Sequence, residues 1–229
     1  MKKIAVVFVC LLVVLAVAAI VMRKQPMSTE DFIDLCQSGT PKKVEAAIKA
    51  GTDVNARYTG CTGGQFKGVT PLMLAARNRN AEFLDILIQA GADVNAEDDD
   101  SWTPLTFAAS FNKNPEVLSV LIQAGADVNA RDSDDWTVLM YAARFNENPE
   151  VLNVLIQAGA DVNATDNDGW TPLMVAAVSS KNPEILSVLI QAGADVSAKN
   201  NKGQTAFYIA RAINKPEFAS ILEAAAGRR

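Results

Sequence analysis

Gly169-Trp170-Thr171-Pro172-Leu173-Met174-Val175-Ala176-Ala177, followed by Asn182-Pro183-Glu184-Ile185-Leu186-Ser187-Val188-Leu189-Ile190-Gln191-Ala192-Gly193-Ala194-Asp195-Val196, is the clearest copy of a sentence that the chain repeats. Its threonine recurs at Thr70, Thr103, Thr137, Thr171 and Thr205, at spacings of 33, 34, 34 and 34 residues. The glycine that closes each unit recurs at Gly51, Gly91, Gly125, Gly159 and Gly193, at spacings of 40, 34, 34 and 34. Self-similarity at a fixed period of this size marks stacked repeats, in which no unit buries its apolar face alone.

Within a unit the residue types assign the roles. Asn114-Pro115-Glu116, Asn148-Pro149-Glu150 and Asn182-Pro183-Glu184 open second helices, with asparagine as N-cap, proline at the first position and glutamate near the positive helix end. The turn before them holds one extra residue, which makes the period 34. Val117, Leu118, Val120, Leu121 and Ile122 fall at helical spacing. The pairs Ala108-Ala109, Ala142-Ala143 and Ala176-Ala177 allow the close approach that stacking needs.

Two words recur in phase: Thr-Pro-Leu at 70, 103 and 171, and Gly-Ala-Asp-Val-Asn-Ala at 91, 125 and 159. Together they resemble the ankyrin repeat over residues 28–227. The resemblance implies an all-α ankyrin-repeat solenoid of stacked helix-turn-helix units with hairpin loops, about six units including caps. One departure stands out. The chain has no histidine, so the fourth signature position holds Met73, Thr106, Met140, Met174 and Tyr208. The family's Thr–His hydrogen bond is missing, and the expectation is lost local rigidity without a change of fold.

The domain reading is a terminal segment over 1–25 and a repeat domain over 26–229. The latter divides into a cap (28–56), an inserted loop (57–69), repeats starting near 70, 103, 137 and 171, and a C-terminal cap (205–227). In the first cap Ser28 and Asp31 open a helix that runs to Gly39, and Pro41 opens a second that ends at Gly51. Its many charges suit an end unit with one face in water. Cys36 falls where other units place the second alanine. It is either a small core residue or, with Cys61 of the insert, one half of a disulfide, given Cα atoms within about 7 Å.

The insert Tyr58-Thr59-Gly60-Cys61-Thr62-Gly63-Gly64 accounts for the long spacing of 40. It is no phosphate loop, because no Gly-Lys-Ser/Thr follows. A longer hairpin finger is expected, and a candidate contact.

Residues Ile4 to Met22 form nineteen positions without a charged or strongly polar side chain, after Lys2-Lys3 and before Arg23-Lys24. As a helix they reach roughly 28 Å, close to the hydrocarbon thickness. They read as a single-pass anchor, with the repeats outside the cytoplasm. The alternative is a signal peptide cleaved after Ala16-Val17-Ala18, giving a periplasmic or secreted protein. A membrane contact through 4–22 follows only if the segment is uncleaved.

Four of the 21 basic residues (Lys2, Lys3, Arg23 and Lys24) lie in that segment, so against 26 acidic residues the rest carries about −9. An acidic body lacks the cationic stripe of a nucleic-acid groove and favours partners with a basic or mixed basic-apolar surface. Without histidine there is no Ser-His-Asp triad, Cys-His pair or imidazole metal site. The carboxylates at 97–100, 132–135 and 166–168 suit hairpin tips, and an EF-hand register set on Gly169 would start at Ala164, which cannot coordinate. The expectation is a protein without catalysis, metal or cofactor.

The resemblance also implies a contact surface on the concave side, from hairpin tips and first-helix residues. Carried over position by position, the residues before threonine are Val69, Trp102, Trp136 and Trp170. Those after the alanine pair are Arg77, Asn78, Phe111, Arg144 and Phe145. The tips add Phe66, Lys67, Asp99, Asp100, Ser133, Asp134, Asn167 and Asp168. All three tryptophans fall at one equivalent position, so stacking is expected to make them a ladder, either an aromatic recognition surface with a polar rim or packing over the hairpins. The functional expectation is a module that binds another protein through this acidic-aromatic face. The alternative is a secreted effector or envelope structural protein without a dedicated groove.

Overall fold

The structure, a computed structural model, describes residues 26–58, 67–77 and 81–227. The terminal segment 1–25, Cys61, Phe66 and Asn78 lie outside the described residues, and so do the expectations placed on them. Among the described residues there are twelve helices and no strand. They come in six pairs: α1 (Thr29–Ser38) and α2 (Pro41–Lys49), α3 (Pro71–Arg77) and α4 (Ala81–Gln89), α5 (Pro104–Phe111) and α6 (Pro115–Gln123). There follow α7 (Val138–Phe145) and α8 (Pro149–Gln157), α9 (Pro172–Ser179) and α10 (Glu184–Gln191), α11 (Ala206–Ala212) and α12 (Pro216–Ala226). First helices pack on first helices and second helices on second helices along the array.

The first helices are buried almost all round. Six of the seven residues of α3 and seven of the eight of α5 are inside. The alanine pairs at 75–76, 108–109, 142–143 and 176–177 are fully buried, as their role in close stacking requires. The second helices bury one stripe each, such as Val117, Leu118 and Leu121 of α6. Cys36 takes the place of an alanine in the same row; it is fully buried, and burial pushes its thiol up to about 12.

Helix entry follows the repeated threonine. Thr103, Thr137, Thr171 and Thr205 have extended backbone, and each Oγ1 accepts the N–H three residues on, at 3.2–3.3 Å. This cap needs no histidine. Where threonine replaces it, at Thr106, the two hydroxyls lie 3.1 Å apart and the cap becomes reciprocal. Asn114 and Asn148 cap α6 and α8 through the N–H of Glu116 and Glu150. Asn182 makes the same bond to Glu184, but Pro183 stands in the cap and α10 begins one residue later than its counterparts.

Side-chain amides join the units. Asn55, Asn95, Asn129 and Asn163 each donate to the glycine carbonyl of the next unit, at 3.0–3.2 Å. Each also accepts the N–H of that unit's aspartate, at 2.8–3.0 Å. A second series runs through the inter-helix turns and is buried. Asn112 Nδ2 donates to the Ala76 carbonyl (2.9 Å), and Asn146 Nδ2 to those of Ala109 (2.9 Å) and Asn112 (2.8 Å). In the last unit the Lys215 ammonium replaces the amide and donates to the carbonyls of Val178 and Ser180, both at 2.7 Å.

Asn146 is 3% exposed, so its removal strands two buried carbonyls together with the Asn148 N–H it accepts. Asn146→Ala is expected to cost about 2–4 kcal/mol in chemical denaturation, and Asn129→Ala, whose bonds water can replace, less than about 1.5 kcal/mol. Equal costs would deny the buried series its larger share.

Candidate protein-interaction face

The hairpins that connect units are built on one acceptor. Oδ1 of Asp98, Asp132 and Asp166, and of Asn200, accepts the N–H groups two and four residues on, at 2.8–3.0 Å. The second of these donors is the backbone of Trp102, Trp136, Trp170 or Gln204. The carboxylates that superficially resemble metal ligands thus close the turn and fix where each tryptophan starts. The residue just before each of these, and before the equivalent Val69, is left-handed: Gly68, Ser101, Asp135, Gly169 and Gly203, with φ from 61° to 77°. Glycine adopts that conformation freely, and Ser101 and Asp135 adopt it under strain.

The tips line up. The Asp99 N–H donates to the Lys67 carbonyl (3.1 Å), Asn167 to Asp134 (3.4 Å) and Asn201 to Asp168 (2.9 Å). Arg57 ties the Glu97 carbonyl (2.7 Å) and the Asp99 carboxylate (3.2 Å), and Arg131 ties the Thr165 carbonyl (3.0 Å). Lys67, Asp99, Asp100, Ser133, Asp134, Asn167 and Asp168 are exposed along this rim.

The aromatic surface differs from the expected ladder. Among the described residues the tryptophans do not stack on one another, because Tyr141 of α7 stands between two of them. Its ring lies 4.3 Å from Trp102 and 5.3 Å from Trp136. Its hydroxyl accepts from Trp102 Nε1 (3.1 Å) and donates to Asp132 Oδ2. Trp102 also meets Phe107 edge-on at 5.4 Å. The tryptophans are half-buried: Trp136 and Trp170 pack over Met140, Ala164 and Val175, and Trp102 over the cluster of Ile33, Met73 and Phe107. A second correction concerns Val69. It is fully buried in that latter cluster, so it is core and no part of the surface.

Outward from Tyr141 the row becomes accessible. Phe145 lies 6.3 Å from Tyr141 and 6.3 Å from Phe111. Phe111 and Phe145 are 43% and 45% exposed, unusual for rings of this size. Arg77 sits over Phe111 (5.1 Å), and Arg144 over both Phe145 (5.0 Å) and Trp136 (5.3 Å). A cleft of about 280 Å³ opens beside Arg144 between Trp136 and Trp170, with Asp166 and Asp168 on its wall. The structure therefore brings together Trp102, Trp136, Arg77, Arg144, Phe111 and Phe145, with the acidic tips beyond them. Tyr141 and Phe107 complete the row and were missed. Their signal was the fourth residue after threonine, aromatic in two successive units.

Burial, and after it the Asp132 carboxylate, raises the Tyr141 phenol above its ordinary range. The folded chain then keeps a proton that the unfolded chain begins to lose near pH 10. The stabilisation is fully present below that pH and declines as pH rises through the folded-state value. Tyr141→Phe is expected to cost about 1–2 kcal/mol at neutral pH, from the loss of both hydroxyl bonds. The gap between wild type and variant should narrow above about pH 10 in denaturation curves. A gap independent of pH would show that the phenol proton is not held by the fold.

A family model described as Ankyrin repeats (3 copies) matches residues 32–132, 107–200 and 139–226. No curated protein matches the chain.

Proposed function

The chain belongs to the ankyrin-repeat family, whose arrays are protein–protein interaction modules, and from that premise we propose that it binds one partner protein through the hairpin and first-helix face of its central units. The observation that carries this reading is the pair of exposed rings, Phe111 and Phe145, set in line by adjacent repeats and flanked by Arg77 and Arg144. Two adjoining rings held in water make a contiguous apolar patch, and aromatic anchors inside a polar rim are what interfaces employ. The acidic tips Asp99, Asp100, Asp134 and Asp168 form that rim, and they favour basic or mixed basic-apolar surroundings on the partner. In this reading the module is non-catalytic.

Crosslinking and pull-down from intact cells should recover the partner with wild type and lose it with Phe111→Ala/Phe145→Ala. Truncating exposed rings should leave stability within about 1 kcal/mol, so loss of binding is separable from loss of fold. Losing a central aromatic anchor typically weakens binding by about 2 kcal/mol or more. Equal recovery from both proteins would sink the assignment of this face.

The reading extends to location. The nineteen-residue apolar run between Lys3 and Arg23 supports an anchor that displays the repeats outside the cytoplasm. Protease added to intact cells should degrade the repeats, and the mature N-terminus should still contain residues 4–22. A new N-terminus just after Ala18 would favour the secreted form, and full protection of the repeats would overturn export.

A further inference from the structure

The cations of this face are not equivalent. Lys113 and Lys181 both reach the Glu147 carboxylate, at 3.2 and 4.0 Å. Arg57 and Arg131 are committed to the hairpins. Arg144 is placed otherwise. Its guanidinium is held over the Trp136 and Phe145 rings, and among the described residues no carboxylate lies within ion-pair distance of it.

Three acids stand nearby: Asp168 is exposed on the cleft wall outside ion-pair distance, and the other two are engaged within the chain. Glu147 is taken by the two lysines, and Asp166 accepts the backbone N–H groups of Asp168 and Trp170. The side chain is exposed and borders the cleft beside Trp170 as well as a second hollow of about 330 Å³ toward Ser179 and Lys181. A guanidinium held over two rings still has N–H groups to offer a carboxylate. Contact with the rings also removes rotamer freedom that such a bond would otherwise have to freeze.

Resting on the face assigned above, we propose that Arg144 is the specificity residue of that face, and that its occupant is a partner peptide segment carrying an Asp or Glu carboxylate next to an apolar or aromatic side chain. The carboxylate pairs with the Arg144 fork, and the apolar side chain covers Phe145 and Phe111. Charge complementarity selects this occupant. The tips nearest Arg144 carry Asp134, Asp166 and Asp168, which disfavour a second carboxylate beside it and favour a segment whose flanks are neutral or basic.

A peptide-display selection on the full-length chain tests this, with affinities of the selected peptides measured for wild type, Arg144→Gln and Phe111→Ala/Phe145→Ala. The expected result is a selected pattern with one acidic residue beside an apolar one. Affinity should fall by about ten-fold or more in Arg144→Gln, in keeping with a charge-assisted bidentate bond. The salt dependence of binding should flatten in the same variant, which a packing role alone would not produce. Peptides that depend on Phe111 and Phe145 but carry no acidic preference, or bind Arg144→Gln equally well, overturn the proposal and leave the face standing. Peptides that bind the double alanine variant undiminished, or no enriched peptide at all, count against both.

Discussion

One side-chain amide at each of four successive unit boundaries fixes how neighbouring units join. Asn55, Asn95, Asn129 and Asn163 use both ends of the amide, donating to one backbone carbonyl of the next unit and accepting from one N–H there. Aspartate has no donor and leucine has neither group, so asparagine or glutamine chemistry is required, and only the shorter side chain recurs at these positions. Apolar burial supplies most of the cohesion between units, but it is non-directional and would tolerate sliding. The amides are directional. They hold Phe111 and Phe145 in register at 6.3 Å, and they hold Trp102 where Tyr141 of the following unit can reach it.

The aromatic row has an inner and an outer half, with different physics. On the inner half Tyr141 is tied to Trp102 and Asp132 by its hydroxyl and to both tryptophans by its ring. These contacts are satisfied within the chain and belong to packing. On the outer half Phe111 and Phe145 touch each other and the arginines but keep more than two fifths of their surface in water. The tryptophans and Tyr141 are held within the chain, and the phenylalanines are the rings left in water.

Fold and helix caps were legible because they rest on local rules that recur from unit to unit. Threonine capping, burial of the alanine pairs and two of the three Asn-Pro-Glu entries appear where the words place them, and the third, at Asn182, starts its helix one residue late. The departures lie where a contact crosses between units. Tyr141 is an ordinary first-helix residue until the neighbouring Trp102 is brought 4.3 Å from it. Val69 occupies the tryptophan position by count, yet the cluster of Ile33 and Met73 covers it. Asn112 and Asn146 sit in a turn that reads as connecting loop, and only stacking shows that they fill the carbonyls of the unit before. The missing histidine leaves the cap in place, since the threonine hydroxyl needs only a backbone N–H to accept.

Both amide series change character toward the C-terminal side. Ser197 stands where asparagine would and turns back on Asp195, with its N–H and its hydroxyl bonded to the same Oδ1. Lys215 donates to the unit before it and, lacking an acceptor, offers nothing onward. Toward the other end, the unit of residues 28–56 contributes Asn55 but no buried turn amide among its described bonds. Among the described bonds, the unit that carries Phe111 is bonded through both series on both sides, and the unit that carries Tyr141, Arg144 and Phe145 through both on its N-terminal side; beyond it Ser180 bonds Asn182 of its own turn, and Asn182 reaches the Glu147 carbonyl at the surface. Rings and a guanidinium are mounted on these units. A surface ordered in this way has less freedom to lose on being covered, whatever the total area buried.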